Sequence, residues 1–500
     1  MSKKIGLAIS LALLTLSAGI ELKAQTARGA HPAAGARLAD EKGRAPRLVL
    51  KPCRLPYIEE EARCGTYEVF EDREAKRGRK ISLNIAVLPA LGPARAPDPI
   101  FYLSGGPGSA AVEQAGGAVF LLQRARKERE IVLIDQRGTG GSNPLKCDVP
   151  AKSDLQRYLS DMMSPETAGE CRKELEKRAD LTLYTTPIAI DDFDEVREAL
   201  GYERINLFGG SYGTRAALVY LRRHPSRVRS VVLMGAVPTY FDMPISYSRS
   251  AEAAMDRLIS DCAGDKSCSE AFPNLRSEFQ SVLERLAKGP VKVTLQDPAT
   301  GKPEEVELSY GVAVERVRFL LYSGATSRQL PLLFHKAAQG DFAPLAREAA
   351  ATGELLSRLI YTGMFFSVTC AEDVPFIDQK KIPEEIANTF LRDVRLRTQL
   401  TACRAWPRAA LPPGYRDPVR SDAPVLIMSG AVDPVTPPRW GDEVARYLPN
   451  SLHVVNPSGG HSDFGDCSAG LVGDFIRAAS VKGLDPSCIK QERRQSFVTR

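Results

Sequence analysis

Ser211 is the residue whose surroundings best fit a chemical role, since it lies at the centre of the sequence G-G-S-Y-G. A serine hydroxyl is a poor nucleophile unless it is exposed and beside a base. A G-x-S-x-G turn between a strand and a helix provides the exposure, because the turn has almost no room for side chains at its flanks. Residues 204–208 predict a buried strand and residues 214–223 a helix. The alternative is a glycine-rich turn without chemistry.

A serine nucleophile needs a base, and the chain has only five histidines. His461 follows P-S-G-G in a loop after the last predicted strand, where a base can reach the carboxyl edge of a sheet. The other four lie in less suitable places: His31 near the amino terminus, His224 at a helix end, His335 in a helix and His453 in a strand. We therefore predict that His461 is the base.

Asp433 is the candidate for the acid that orients this histidine. It lies in S-G-A-V-D-P-V-T-P, directly after the strand predicted at residues 423–428. A carboxylate there can accept the imidazole N–H and stabilise the imidazolium. An aspartate before proline is also common in plain turns, which is the alternative. The order Ser211, Asp433, His461 is nevertheless the order of a serine triad on a strand-helix sheet.

The oxyanion of the transition state requires two preorganised N–H donors. Tyr212, immediately after the serine, is expected to supply one. The second is expected from S-G-G-P-G at residues 104–108, which follows a short predicted strand. Gly106 is the first choice and Gly105 the second. A glycine-proline cluster of this kind is otherwise simply a turn.

Strands and helices alternate around these motifs, and the predicted strands are almost continuously apolar. This pattern indicates an α/β fold with a parallel sheet covered on both faces. After residue 239 the pattern becomes largely helical, with one hairpin at residues 291–308. We expect a first core segment at 47–239, a cap insertion at 240–418, a second core segment at 419–490 and a tail at 491–500.

The first 24 residues have the features of a signal peptide: a basic start followed by an apolar run. Residues 25–46 are expected to be a flexible leader, and no second long apolar run follows. These features predict export to the periplasm or medium, without stable membrane insertion once the signal is removed. The net charge of +6 is spread along the chain, which argues against a nucleic-acid partner.

The ten cysteines fall into near neighbours along the chain, and export favours disulfides. The alternative is scattered buried thiols. None of the spacings suits a metal site, and no cofactor is expected. The predicted pairs are Cys53–Cys64, Cys147–Cys171, Cys262–Cys268, Cys370–Cys403 and Cys467–Cys488.

Several segments together resemble one known family: S-G-G-P-G, D-Q-R-G-T-G-G-S, G-G-S-Y-G-T, S-G-A-V-D-P-V-T-P and G-G-H. They are similar to α/β-hydrolase peptidases of the prolyl aminopeptidase and tripeptidyl aminopeptidase group. C-R-A-W-P at residues 403–407 resembles their TAP-like segment. The resemblance spans roughly residues 47–490 and implies an α/β-hydrolase fold, with a mostly parallel sheet and a largely helical cap. It also implies an exported serine exopeptidase acting on short peptides, with Ser211, Asp433 and His461 at the triad positions.

An exopeptidase needs an anchor for the substrate's α-ammonium, and Glu372 and Asp373 are the candidates. They follow Cys370 in a T-C-A-E-D segment that is similar to one in the family. Ordinary capping or salt-bridge roles are the alternative for both acids. The Tyr212 hydroxyl, Phe365 and Phe366 are further pocket candidates, with core packing favoured for the two phenylalanines.

Two other functions use the same residues. The triad serves an esterase or amidase acting on small molecules equally well, because the acyl-enzyme chemistry is shared. A hydrolase fold used only for binding is the third possibility, and the complete set of predicted catalytic residues argues against it. The sequence does not determine the number of residues released, the side-chain preference or the oligomeric state.

Overall fold

A nine-stranded sheet forms the centre of the molecule. The computed structural model describes residues 48–500 except for residues 94, 150 and 299, so the predicted signal peptide and leader lie outside the described residues. The spatial order of the strands is β1-β2-β3-β5-β4-β6-β7-β10-β11. The strands are β1 (Lys51–Cys53), β2 (Ala62–Phe70), β3 (Lys80–Leu88), β4 (Ile100–Leu103), β5 (Ile131–Ile134), β6 (Ile205–Gly210), β7 (Val228–Met234), β10 (Val425–Gly430) and β11 (Ser451–Asn456).

The larger part of the sheet is parallel throughout. Its strands, in spatial order, are β5, β4, β6, β7, β10 and β11. The strands β1 to β3 add an antiparallel edge beside β5. That edge was not predicted, because β2 is half exposed and lacks the apolar run that marks a buried parallel strand. The predicted mostly parallel α/β sheet is confirmed.

Alternating side chains of each central strand enter two separate cores. Phe101 and Leu103 of β4 pack on one face of the sheet, whereas Ile100 and Tyr102 pack on the other. This alternation follows from the two-residue period of a strand. Helices cover both faces, so all four positions are buried. The sheet can therefore hold the loops at its carboxyl edge in fixed positions.

Within the described residues, seven α-helices lie outside the long segment between β7 and β10. Five come before it and two after it in the chain. They are α1 (Ala115–Leu122), α2 (Asp154–Tyr158), α3 (Pro165–Leu175), α4 (Thr186–Leu200), α5 (Tyr212–Arg223), α16 (Pro438–Ala445) and α17 (Asp466–Ala478).

The segment between β7 and β10 is helical apart from the antiparallel hairpin β8 (Val291–Gln296) and β9 (Pro303–Leu308). Most of its apolar side chains form a core of their own. Its helices are α6 (Tyr247–Gly264), α7 (Lys266–Ala271), α8 (Leu275–Ala287), α9 (Tyr310–Leu320), α10 (Gly324–Ser327), α11 (Leu330–Ala338), α12 (Ala343–Leu359), α13 (Thr362–Glu372), α14 (Ile382–Ile386) and α15 (Val394–Ala405).

Five disulfides join cysteines that are near neighbours along the chain, and the structure leaves no free cysteine among the described residues. The pairs are Cys53–Cys64, Cys147–Cys171, Cys262–Cys268, Cys370–Cys403 and Cys467–Cys488. The pair at Cys370 links helix α13 to helix α15 and so holds two helices of the insertion together. In the described part of the chain, every helix is too short or too polar to traverse a bilayer.

Candidate active site

Ser211 lies in the turn between β6 and helix α5, with φ 53° and ψ −123°. A non-glycine residue with positive φ is strained by about 1–3 kcal/mol and persists only where its surroundings enforce it. Here close packing of the backbone around the turn enforces this conformation. A Cβ on Gly209 would lie 2.3 Å from the Gly213 carbonyl oxygen, and one on Gly213 would lie 2.0 Å from the Leu103 oxygen. The two glycines of the motif are therefore required by close backbone contacts.

Asp433 and His461 lie in the loops after β10 and β11, and these parallel strands bring them together. His461 Nδ1 is 2.7 Å from Asp433 Oδ2. The hydroxyl of Thr436 donates to the same Oδ2 at 2.8 Å and lies 3.1 Å from Nδ1. An imidazole that donates its Nδ1–H to a carboxylate carries no proton on Nε2. Nε2 is then free to accept a proton, as a general base requires.

The Asp433 carboxylate is held in its ionised form by its surroundings. Its Oδ1 accepts two backbone N–H bonds at 2.8 Å, from Val435 and Thr436. Burial alone would raise the pKa of Asp433, but His461 and these donors outweigh burial and lower it. Thr436 was not predicted as a site residue. Its position three residues after the aspartate, in V-D-P-V-T, is the signal that would have identified it.

Ser211, His461 and Gly106 all line one cavity of about 740 Å³. Its other walls come largely from the insertion, chiefly helices α9, α12, α13 and α15. The structure thus brings the predicted nucleophile, base and first-choice oxyanion residue to a single cavity. Asp433 stands behind His461 and is only 3 % exposed.

The backbone around the predicted oxyanion donors is tightly positioned. Tyr212 is the first residue of helix α5, so its N–H has no partner within the helix. A Cβ on Gly105 would lie 3.2 Å from the Gly210 oxygen and 3.3 Å from Ser211 Cβ, which shows how closely the loop after β4 approaches the nucleophile turn. Tyr361 donates its N–H to the Gly108 oxygen at 2.8 Å and ties the insertion to this loop.

The D-Q-R-G-T-G segment, residues 135–140, forms hydrogen bonds near both the S-G-G-P-G loop and the turn at Ser211. Asp135 accepts the Val112 N–H at 2.9 Å, beside the S-G-G-P-G loop. Gln136 donates to the Tyr212 hydroxyl at 3.0 Å. Arg137 is fully buried and pairs with Asp192 at 2.6 Å. The segment therefore positions the site without entering the cavity.

Tyr322, two residues after helix α9 ends, links the insertion to the candidate base. Its ring meets the His461 ring edge-on, with centroids 4.8 Å apart. Its carbonyl oxygen accepts the Ser462 N–H at 2.9 Å. No sequence signal pointed to Tyr322, because the contact joins residues 139 positions apart through the fold.

Glu372 and Asp373 do not lie on the cavity, so the predicted ammonium anchor is in the wrong place. Helix α13 is buried on all sides, and both carboxylates at its end are 0 % exposed. Asp373 Oδ1 is 2.6 Å from Arg215 Nη2, and Glu372 accepts from Thr186 and from the hydroxyl of Tyr415. The alternative weighed for these acids, a salt-bridge role, describes what the structure shows.

These contacts form a buried ionic network beneath the helix that follows Ser211. Burial raises the pKa of both Glu372 and Asp373, while the Arg215 guanidinium opposes that rise. The guanidinium offsets part of the negative charge, and the hydrogen bonds from Arg215 to Asp373 and from Thr186 and Tyr415 to Glu372 offset part of the cost of burial. The network therefore fixes α13 against α5.

We expect Arg215→Met to destabilise the fold by about 3–5 kcal/mol, because it leaves two buried carboxylates without their cation. Chemical denaturation of the purified proteins measures the loss. Arg223→Met is the matched control on the same helix. Its partner Asp191 is 2.6 Å away near the surface, so the expected change is about 1 kcal/mol or less. Equal effects of the two substitutions would contradict a structural role for the buried network.

The remaining predicted pocket residues divide between cavity and core. Phe365 lines the cavity. Phe366 is fully buried and packs on Trp406, with centroids 5.1 Å apart. The Tyr212 hydroxyl lies 2.6 Å from Thr186 Oγ1 in the buried network rather than facing the cavity. Among the described residues, no group of three or more His, Cys, Asp or Glu side chains is arranged to hold a metal ion.

Two family models match the chain. Residues 98–283 match the model described as α/β hydrolase fold, and residues 388–488 match the one described as TAP-like protein. The first match contains the Ser211 turn, and the second contains Asp433 and His461. Both matches agree with the topology described above.

Named relatives include serine peptidases. The chain is 26% identical to serine protease Hip1 of Mycobacterium tuberculosis over 464 residues, which cover 83% of this chain and 85% of that protein. It is 31% identical to proline iminopeptidase of Neisseria gonorrhoeae over 141 residues, covering 27% of this chain and 32% of that protein. The solved structure of proline iminopeptidase from Mycobacterium smegmatis aligns with a TM-score of 0.39 at 16% identity, covering 83% of this chain and 98% of that one.

Proposed function

We propose that this chain, which belongs to the α/β-hydrolase family and is a serine hydrolase, acts as an exported exopeptidase on short peptides with a free amino end. The observation that carries the proposal is the meeting of Ser211 and the His461–Asp433 pair at one cavity roofed by the insertion. The names of the relatives, a serine protease and a proline iminopeptidase, support peptides as substrates.

In the proposed mechanism His461 removes the proton from the Ser211 hydroxyl, whose oxygen then attacks the scissile carbonyl carbon. Asp433 stabilises the imidazolium, and the backbone N–H groups of Gly106 and Tyr212 bind the oxyanion. His461 then gives its proton to the departing amine, leaving an acyl group on Ser211. Water, activated by the same histidine, releases the acyl group and restores the enzyme.

The size of the cavity supports exopeptidase action on short peptides. A volume of about 740 Å³ suits a ligand of a few residues. Tyr322 and Tyr361 tie the insertion to the loops around Ser211, so the roof is part of the site.

We place the substrate's α-ammonium at Asp161, one of two carboxylates on the cavity wall. The other, Glu315, is 3.0 Å from Arg318 and is already neutralised. Asp161 Oδ1 accepts the Met163 N–H at 2.9 Å, and the side chain forms no salt bridge with the described residues. Its remaining lone pairs are available for an ammonium group, although its charge also faces the Arg316 guanidinium. This position replaces Glu372 and Asp373 in the proposal.

The exported location of the proposal is supported by five disulfides, which persist in oxidising compartments. The signal-like first 24 residues point the same way.

The test is hydrolysis of aminoacyl-, dipeptidyl- and tripeptidyl-fluorophores, each with a free and an acetylated amino end. We expect acetylation to lower kcat/KM about tenfold or more, since it removes a charge-assisted bond. In Asp161→Asn the difference between free and acetylated substrates should shrink. Equal rates on free and acetylated peptides would overturn the exopeptidase proposal. Hydrolysis of simple esters alone would favour the esterase alternative.

A further inference from the structure

The cavity wall formed by helices α9 and α15 carries an excess of positive charge. The two helices contribute four arginines, whereas the whole cavity lining has two carboxylates, Asp161 and Glu315. Most of the remaining lining is apolar. Three of the arginines, Arg316, Arg318 and Arg395, are buried or nearly so, whereas Arg397 is 68 % exposed and lies 3.5 Å from Asp393. Buried charged groups are costly unless a counter-charge meets them.

Among the described residues, Arg318 is the only one of the three buried arginines on this wall with a carboxylate at hydrogen-bonding distance. Arg318 binds Glu315 Oε2 at 3.0 Å and the Tyr322 hydroxyl at 2.8 Å, so its donors are engaged. Arg395 is 3.9 Å from the same Glu315 oxygen, too far for a hydrogen bond. One carboxylate thus faces two guanidinium groups, and a second counter-charge is missing.

Arg395 forms no hydrogen bond with the described part of the chain. Its side chain is 11 % exposed and stacks near the Phe365 ring, 5.3 Å from the centroid. Arg316 beside it is 6 % exposed and reaches only the backbone oxygens of Tyr158 and Ser160, at 3.2 and 3.3 Å. Burial, opposed by Glu315 and Asp161 but reinforced by the like charges of the other arginines, lowers the pKa of Arg316 to about 10. A bound anion would relieve this repulsion.

Arg318 shows how far this wall lies from the candidate base. The Arg318 guanidinium lies 5.6 Å from the Tyr322 ring, which is 4.8 Å from the His461 ring. The guanidinium is therefore within roughly 10 Å of the imidazole, about the span of three extended residues. A group two or three residues from the scissile bond can reach this wall.

We propose that Arg395, with Arg316 beside it, binds a carboxylate of the substrate and makes this enzyme selective for short anionic peptides. The inference rests on the proposed peptidase function. Carboxylate is the anion that peptides themselves carry, either at the carboxyl terminus or on an acidic side chain. The planar guanidinium matches a carboxylate with two parallel hydrogen bonds.

Two matched substrate pairs test the proposal and separate the two sources. Ala-Ala-Ala-Ala as free acid and as amide tests the terminal carboxylate. Ala-Glu-Ala-Ala amide and Ala-Gln-Ala-Ala amide test the side chain. With cleavage followed by chromatography, we expect kcat/KM about 10- to 100-fold higher for the carboxylate member of at least one pair.

The same panel is then run on variants. Arg395→Gln should reduce the preference to within about twofold, and Arg395→Lys, which retains the charge, should keep part of it. Arg404→Gln is the matched control, because Arg404 is an exposed arginine of α15 outside the cavity, and it should keep the full preference. If Arg395→Gln fails to fold, Arg316→Gln and Arg395→Lys carry the test. A wild type without preference in either pair overturns the proposal, as does a preference that both glutamine variants retain.

A parallel measurement separates this proposal from the peptidase function. If no peptide is cleaved, the mono-p-nitrophenyl ester of adipate and p-nitrophenyl hexanoate replace the peptides, since they differ mainly by a terminal carboxylate that is too distant to attack its own ester readily. Faster hydrolysis of the adipate ester that is lost in Arg395→Gln supports the carboxylate site while the peptidase proposal fails. Equal rates on the two esters overturn the site itself.

Discussion

Ser211→Ala is expected to lower kcat about 10⁵- to 10⁶-fold on every substrate that the wild-type protein hydrolyses, because the acyl-enzyme can no longer form. Ser211 lies at the head of helix α5 and shares its cavity with His461 and Gly106. Steady-state kinetics with active-site titration measures the loss. Labelling by a fluorophosphonate should disappear in the variant and, in the wild type, should map to the peptide that contains residue 211.

Two controls separate lost chemistry from lost structure. Ser109→Ala removes another serine of the same cavity and should retain activity within about tenfold. Ser211→Gly should be as inactive as Ser211→Ala but at least as stable, since φ 53° is unstrained for glycine. Substantial activity in Ser211→Ala, or labelling that persists in it, would show that the nucleophile is a different residue.

Asp433→Asn is expected to lower kcat about 10³- to 10⁴-fold while leaving substrate binding nearly unchanged. The carboxylate accepts bonds from the N–H groups of Val435 and Thr436, the Thr436 hydroxyl and His461. An asparagine at this position must point its NH₂ group either toward the backbone N–H groups or toward His461. An NH₂ group that faces His461 donates to Nδ1 and selects the tautomer that carries the proton on Nε2. That nitrogen can then no longer accept the serine proton.

A second aspartate–histidine pair provides the matched control for this substitution. Asp442 lies 2.8 Å from His453 Nδ1, outside the cavity, and its side chain is 67 % exposed. Asp442→Asn should therefore leave kcat within about twofold of wild type. Comparable losses in Asp433→Asn and Asp442→Asn would contradict an orienting role for Asp433. Circular dichroism and thermal unfolding of both variants establish that they are folded.

Features set by neighbouring residues were predictable from the sequence. The tight turn at Ser211 requires glycines two positions to either side, so five consecutive residues are enough to predict it. The mostly parallel sheet follows from apolar strands that alternate with helices, and that prediction is confirmed. The five disulfides join cysteines 6 to 33 positions apart. Because each cysteine pairs with a near neighbour in the sequence, the pairs could be predicted from the order of the cysteines.

Features set by packing between distant segments were not predictable. Glu372 and Asp373 were predicted to anchor the substrate's α-ammonium, but α13 is buried on every side and places them beside Arg215, more than 150 positions away along the chain. Likewise, nothing local marks Tyr322 or Arg395 as cavity residues. Their side chains face the cavity only because the insertion folds over the carboxyl edge of the sheet.

The sequence by itself therefore determined the chemistry that this protein carries: a serine in a strained turn, with an acid and a base placed after later strands. The reason is that backbone sterics and strand order depend on short segments. Only the tertiary structure decided which charged groups meet the substrate, because burial and ion pairing depend on which helix faces pack together. We accordingly expect the substrate preference to depend on the insertion, and on the arginines that it brings to the cavity beside Ser211.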